Sequence, residues 1–219
     1  MCGRFAITLP SDAMANLFAA APANDLPSVP NFNVCPTNQV HVITSGETGR
    51  RLTSMRWGFL PHWYKAPNDG PLLINARSET LAEKPAFRKA CRETRCLIPV
   101  TGFYEWTKDE DGKRWPWYIQ GPQTLALTGV WQDWGPDDAR QRTCAVVTIK
   151  ANETMSQVHH RMPVVIDQKD WGLWLGEEGF GAAPLMKAAD EDLLYFYQVD
   201  PKVNSNRAQG PELIEPFQP

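Results

Sequence analysis

Gly102-Phe103-Tyr104-Glu105-Trp106-Thr107, the acidic turn Asp109-Glu110-Asp111-Gly112, and Trp115-Pro116-Trp117-Tyr118-Ile119-Gln120 decide how this chain folds. Aromatic residues dominate both flanks and Asp and Gly supply the turn between them, so the stretch reads as a β-hairpin. Similar short runs occupy 95–100, 125–131 and 143–150, and a second hairpin pairs 39–44 with 51–57 around Ser45-Gly46. Further β-rich runs lie at 162–166 and 195–199. Helical signals are fewer. Ser11 or Asp12 can cap a helix reaching about Ala20, Ser78 or Thr80 one running towards Cys91, and Asp167 one carrying Trp171, Leu173, Trp174 and Leu175. The expected class is α+β: mainly antiparallel strands curled into a barrel-like core, with helices packed outside. Nineteen prolines punctuate the chain, and loops are expected at 21–36 and 58–71.

The 219 residues suffice to bury a substantial core, and one domain over 1–219 is expected. Hydrophobic residues at 42% and charged residues at 21% exclude a disordered chain. A net charge of -3 excludes nucleic-acid binding through bulk charge, so any polyanion must find a local basic strip. Five cysteines (Cys2, Cys35, Cys91, Cys96, Cys144), odd in number and without a CxxC pair, suit a reducing compartment and build neither a disulfide framework nor a zinc site. No cofactor is expected. Neither a membrane span nor a signal peptide is legible, which makes the expected location cytoplasmic, or nuclear in a eukaryote.

Met1-Cys2-Gly3-Arg4-Phe5 carries the most distinctive chemistry. Removal of Met1 would leave a thiol and an α-amine on one skeleton. An α-amine with a pKa of about 7.7 to 8.0 is roughly a tenth neutral at pH 7, far more than any ordinary lysine. The amine can form an imine with an aldehyde, and the thiolate can then close on the same carbon as a five-membered thiazolidine. A lone cysteine or lysine cannot. A small second residue after a processed methionine is the plainer alternative.

Four other segments hold residues unusual for packing alone. In Ile74-Asn75-Ala76-Arg77-Ser78, Asn75 and Arg77 share a strand face and offer an amide and a phosphate-gripping guanidinium, or else a helix cap and a surface arginine. Glu105 lies between aromatics, where an apolar wall would raise its pKa into the general acid-base range, unless it sits on an edge facing water. In His159-His160-Arg161-Met162-Pro163 one histidine can shuttle protons, and two histidines on an extended segment face opposite sides; metal binding lacks further ligands at suitable spacing. Trp57-Gly58-Phe59-Leu60-Pro61-His62-Trp63-Tyr64-Lys65 offers aromatics for base stacking, or simply for the core.

Taken in order, Met1-Cys2-Gly3-Arg4-Phe5, Asn33-Val34-Cys35-Pro36, Trp57-Gly58 with Pro61 and Trp63, Ile74-Asn75-Ala76-Arg77, Gly102-Phe103-Tyr104-Glu105-Trp106 and His159-His160-Arg161-Met162-Pro163 resemble the SOS-response-associated peptidase (SRAP) family over nearly the whole chain. The resemblance implies a β-barrel-like fold and a protein that recognises abasic sites in single-stranded DNA and links to them through its terminal cysteine. By position, Cys2, Asn75, Glu105 and His159 match the family's active site, with His160 at the variable place of the His-x-Arg-Met-Pro pattern. Arg4, Arg77 and Arg161 fall where the family contacts phosphates, Trp63 and Tyr64 where it wedges against bases, and Pro36 and Thr148 along the groove. Tyr64 stands where some members have tryptophan, and Cys35 where alanine is usual. Partners implied are abasic single-stranded DNA and replication-fork proteins, with the chain acting as a monomer. Two other classes stay open: a cysteine hydrolase acting on the Met1-Cys2 bond or added peptides, and a non-catalytic reader of modified bases.

Overall fold

The computed structural model describes residues 2–217; Met1, and with it the Met1-Cys2 bond, lies outside them. The strands are β1 (Phe5–Ile7), β2 (Ala20–Pro22), β3 (Asn31–Val34), β4 (Gln39–Gly46), β5 (Gly49–Trp57), β6 (Asn75–Arg77), β7 (Arg95–Lys108), β8 (Arg114–Trp134), β9 (Gln141–Lys150), β10 (Arg161–Pro163) and β11 (Tyr195–Gln198). Short helices α1 (Ser11–Leu17), α2 (Arg88–Glu93), α3 (Glu153–Ser156) and α4 (Trp171–Leu175) flank them. The architecture is the expected α+β with a barrel-like core. β7 pairs with β8, β8 with β9, β9 with β5, β5 with β4, and β4 returns to β7 through Ile43 and Leu97, which closes a ring and removes the edges of these strands. Most pairings are antiparallel, but β2 on β5, β5 on β9 and β6 on β9 are parallel.

The deciding hairpin is longer than its sequence signal. The runs at 95–100 and 102–107 are one strand, β7, with a register shift between Val100 and Gly102, and the runs at 115–120 and 125–131 are one strand, β8. Thr101, at the shift, receives the Thr8 N–H on its Oγ1 at 2.9 Å, so the irregularity anchors the segment after β1. At the turn, Gly112 takes φ +77°, and the Asp109 carbonyl and Oδ1 accept the N–H groups of Gly112 and Lys113 at 3.0 and 2.8 Å.

Helix expectations need correction. The segment after Ser78 forms a single 3-10 turn (Ser78–Thr80) and becomes helical only at Arg88, while Pro10 rather than Ser11 or Asp12 occupies the cap of α1. Asp167 starts a 3-10 turn that leads into α4, which Gly176 ends at φ 86°. β1, β2 and β3 carried no expectation, because three or four residues are too few to display a period of two.

Buried aromatics tie the layers. The Trp57 indole N–H reaches the Ile74 carbonyl at 3.0 Å, its ring lies 4.3 Å from that of Phe5, and Trp174 donates to the Cys96 carbonyl at 2.8 Å. Gly102 is irreplaceable for space: a Cβ there would lie 2.5 Å from the Tyr118 ring and 2.6 Å from the Ile119 carbonyl. Gly102→Ala is expected to lower unfolding stability by about 1–3 kcal/mol, checked by urea denaturation.

Candidate active site

β1 pairs with β7 so that Phe5 faces Phe103 and Ala6 faces Gly102, and the Tyr104 N–H continues the ladder to the Arg4 carbonyl at 2.9 Å. The same antiparallel progression brings the residues before Arg4 alongside Glu105. Cys2 is fully buried there. Its carbonyl accepts a 2.8 Å hydrogen bond from Asn75 Nδ2. Asn75 begins β6, whose parallel register on β9 (Asn75 with Val146, Arg77 with Thr148) fixes the amide in place. The other end of that amide, Oδ1, is buried with no hydrogen-bond partner among the described residues. It is an acceptor held ready for a donor.

Glu105 is 2% exposed, and burial raises its carboxyl to a pKa of about 7. His159 Nδ1 lies 3.9 Å from Glu105 Oε1. That nitrogen also lies 3.0 Å from the Arg161 backbone N and 3.1 Å from the Arg161 carbonyl, so the Arg161 backbone holds the ring in place whichever nitrogen carries the proton. Burial lowers the His159 pKa, and burial, reinforced by the Glu105 charge, raises that of the Cys2 thiol. A neutral thiol, a neutral imidazole and a carboxyl poised between its two states therefore share one region.

His159 and His160 do not face opposite sides. The segment is a turn, with the His159 N–H bonded to the Met155 carbonyl at the end of α3, and the two rings stack with centroids 4.3 Å apart. His160 is exposed on the outer side of this stack. Arg161 is buried, and its guanidinium fork is filled within the chain: Glu79 accepts at 2.5 and 2.9 Å, and Thr148 accepts at its carbonyl (2.7 Å) and Oγ1 (3.3 Å). Thr148 is itself fully buried. Arg77, across from Thr148, is exposed.

Arg4 is partly buried, with Nη1 bonded to Asn33 Oδ1 at 2.6 Å and the Val203 carbonyl at 2.9 Å. It opens with Gly3, Glu105 and His159 onto a cleft of about 580 Å³. Trp63, Tyr64 and Pro36 do not line that cleft. Trp63 is 48% exposed, and its loop is held on the β8–β9 end of the barrel by the Trp134 indole N–H, which reaches the Tyr64 carbonyl at 3.0 Å.

The family model for SOS response associated peptidase (SRAP) matches residues 1–206. The chain belongs to the SRAP family. Abasic site processing protein YoqW of Bacillus subtilis (strain 168) is 34% identical, covering 98% of this chain and 99% of that protein, and abasic site processing protein HMCES of Rattus norvegicus is 26% identical over 99% of this chain and 76% of that protein. The fold matches a crystallised Bacteroides thetaiotaomicron protein with a TM-score of 0.86 at 22% identity, covering 99% of this chain and 100% of that one.

Within this SRAP chain, the cleft also holds Trp106, Lys108, Arg114 and Asn204, none of which the sequence singled out. A signal existed for two of them: the hairpin register that the turn dictates makes Lys108 and Arg114 direct cross-strand partners. Asn204 had no local signal, since it arrives from a 3-10 turn (Pro201–Asn204) after β11.

The Glu79 pair with Arg161 lends itself to an acid-stability test. Arg161 hydrogen bonding holds the Glu79 carboxyl down at about 2, against an ordinary 4.5. A carboxyl depressed in the native state stabilises the fold above its unfolded pKa and loses that contribution as pH falls through the native one. The stability gap between wild type and Glu79→Gln is thus expected in full above pH 4.5 and gone by about pH 2, followed by denaturant melts across that range.

Proposed function

We propose that this chain processes abasic sites in DNA, and that it does so by capturing the ring-opened sugar on Cys2. The reading is supported by the relatives' names and, above all, by one observation: a buried Cys2 whose carbonyl is held 2.8 Å from Asn75, close enough to feel the charge of Glu105, a carboxyl of pKa about 7. An abasic deoxyribose is mostly a cyclic hemiacetal. Glu105 moves the proton between the anomeric hydroxyl and the ring oxygen and so frees the aldehyde. With Met1 removed, the Cys2 amine adds to the aldehyde carbon, and loss of water leaves an imine, with His159 relaying protons from the amine to the departing hydroxyl. The thiol then adds across the C=N bond, sulfur to carbon and proton to nitrogen. The products are a thiazolidine and one water, with no change of oxidation state.

Asn75 serves as a positioning residue, its free Oδ1 suited to an amine or sugar hydroxyl. Arg4 and Arg77 meet phosphates. Arg161, its two terminal nitrogens already engaged, has another role, since with Glu79 and Thr148 it braces the backbone that positions the His159 ring. Exposed Trp63, with Tyr64, stacks on unpaired bases, which favours single strands. Thr148, fully buried, supports the groove from beneath through Arg161, and Pro36 lies outside the cleft lining. If thiol closure lags, the imine can undergo β-elimination, giving lyase activity.

A hydrolase that uses a Cys2 thiolate with a His159 imidazolium is less well supported, because burial pushes the thiol up and the imidazole down, the reverse of what such an ion pair needs. Incubation with a single-stranded abasic oligonucleotide should give a band that survives a denaturing gel in wild type and vanishes in Cys2→Ala. A band persisting in Cys2→Ala, or repeated cleavage of added peptide, would overturn the capture reading. A non-catalytic reader would instead bind without any stable band.

The pH dependence follows from the same groups. The acid form of Glu105 is lost as pH rises through about 7, while the amine gains its reactive neutral form as pH rises. The adduct-formation rate is expected to rise and then fall with pH. Glu105→Gln should slow it by roughly a hundredfold or more and abolish the alkaline fall, measured by quenched time courses between about pH 5.5 and about pH 9.

A further inference from the structure

Beyond Glu105, strand β7 carries Trp106 and Lys108 on one face, and their cross-strand partners on β8 are Pro116 and Arg114. Lys108 and Arg114 are therefore side by side at the mouth of the cleft that also holds Glu105 and His159. Like charges directly opposed across a ladder destabilise a sheet. The rung is only weakly offset: among the described residues neither cation makes an ion pair, Arg114 feels the charge of the buried Glu105 from a distance, and the nearest acid along the strand, Asp109, is committed to the turn, with Oδ1 on the Lys113 N–H and Oδ2 on the Trp115 indole at 2.9 Å. Both side chains are exposed.

The floor beneath them is built rather than loose. Trp106 donates its indole N–H to Asn204 Oδ1 at 2.6 Å, and Asn204 in turn reaches the Arg114 carbonyl at 3.5 Å. The Arg114 guanidinium sits 4.9 Å from the Trp106 ring centre and that of Arg4 5.8 Å from it. Two guanidiniums thus approach one fixed indole in a cleft that Lys108 also lines, with buried Glu105 the only acid among the described lining residues. Such a rung costs stability unless an anion bridges it.

We propose that Lys108 and Arg114 form a phosphate clamp, floored by Trp106, for a nucleotide flanking the captured sugar. The proposal rests on the abasic-site reading above and adds a subsite to it. Lys108 lies three residues along β7 from Glu105, about 10 Å, so the clamped phosphate belongs to a nucleotide close to the lesion. The clamp reads backbone charge and carries no base preference.

The test separates binding from capture. Affinity for a single-stranded oligonucleotide bearing a tetrahydrofuran abasic analogue, which has no aldehyde, is followed by fluorescence anisotropy from roughly 50 to 200 mM salt. Lys108→Gln/Arg114→Gln is expected to bind roughly tenfold more weakly, with a log-log salt slope shallower by about 1 to 1.4. The charge-matched control Lys169→Gln/Lys187→Gln, remote from the cleft lining and from the Trp63 loop, should keep the wild-type slope. Equal slopes in wild type and the Lys108/Arg114 variant, equal losses in both variants, or no binding by wild type would each overturn the clamp. Failure of the wild type to form a gel-stable band with a true abasic oligonucleotide, while analogue binding and its salt slope behave as expected, would sink the capture chemistry and leave the clamp standing.

Discussion

The antiparallel pairing of β1 with β7 is the constraint on which the site depends. Phe5 opposite Phe103 and Ala6 opposite Gly102 are buried pairs, and their register decides where the preceding residues go. A slip by one residue would turn Phe5 to the other face and carry Cys2 away from Glu105. The Phe5 ring, 4.3 Å from Trp57, makes that slip expensive, and the Asn75 amide on the Cys2 carbonyl fixes the last residues from the opposite side. A chain terminus, ordinarily the loosest part of a protein, is in this way built into the core.

Burial also sets the electrostatic character of the pocket. Desolvation disfavours every charged form, so it moves the thiol and carboxyl up and the imidazole down. The groups nearest the reacting atoms are held close to neutrality, which suits proton relay more than ion-pair catalysis. Arg161, buried, is paired with Glu79 through its two terminal nitrogens, while its backbone meets the His159 ring. Arg77, Lys108 and Arg114, which make no ion pair among the described residues, lie at the exposed surface, where a polyanion can reach them without stripping a buried charge. This division reconciles a net charge of -3 with the nucleic-acid substrate proposed above.

Long strands were legible and short ones were not. β4, β5, β7, β8 and β9 run for eight or more residues and show their aromatic and β-branched content plainly, whereas β1, β2 and β3 are three or four residues long and are strands only because a neighbour pairs with them. Ser78 and Thr80 carry helix-start chemistry, yet only a single 3-10 turn forms there, and Ser78 and Glu79 lie against the β9 edge, where Glu79 meets Arg161. The stacked histidines show the same limit, since the turn that follows α3, not an alternation of side chains, sets their directions.

By itself the sequence determined the chemical inventory: a thiol at Cys2 that removal of Met1 would turn into an aminothiol, a carboxyl among aromatics at Glu105, an amide-guanidinium pair at Asn75 and Arg77, and a histidine before Arg161. Those features are local, fixed by residue type and by a spacing of a few positions. Only the tertiary structure decided which of them meet, because a closed ring of strands brings together residues separated by tens of positions and then excludes water from them. That exclusion shifts the carboxyl to about 7, occupies Arg161 with Glu79, and recruits Asn204 from the far end of the chain. Long-range pairing and desolvation are properties of the assembled barrel, and no stretch of residues expresses them alone.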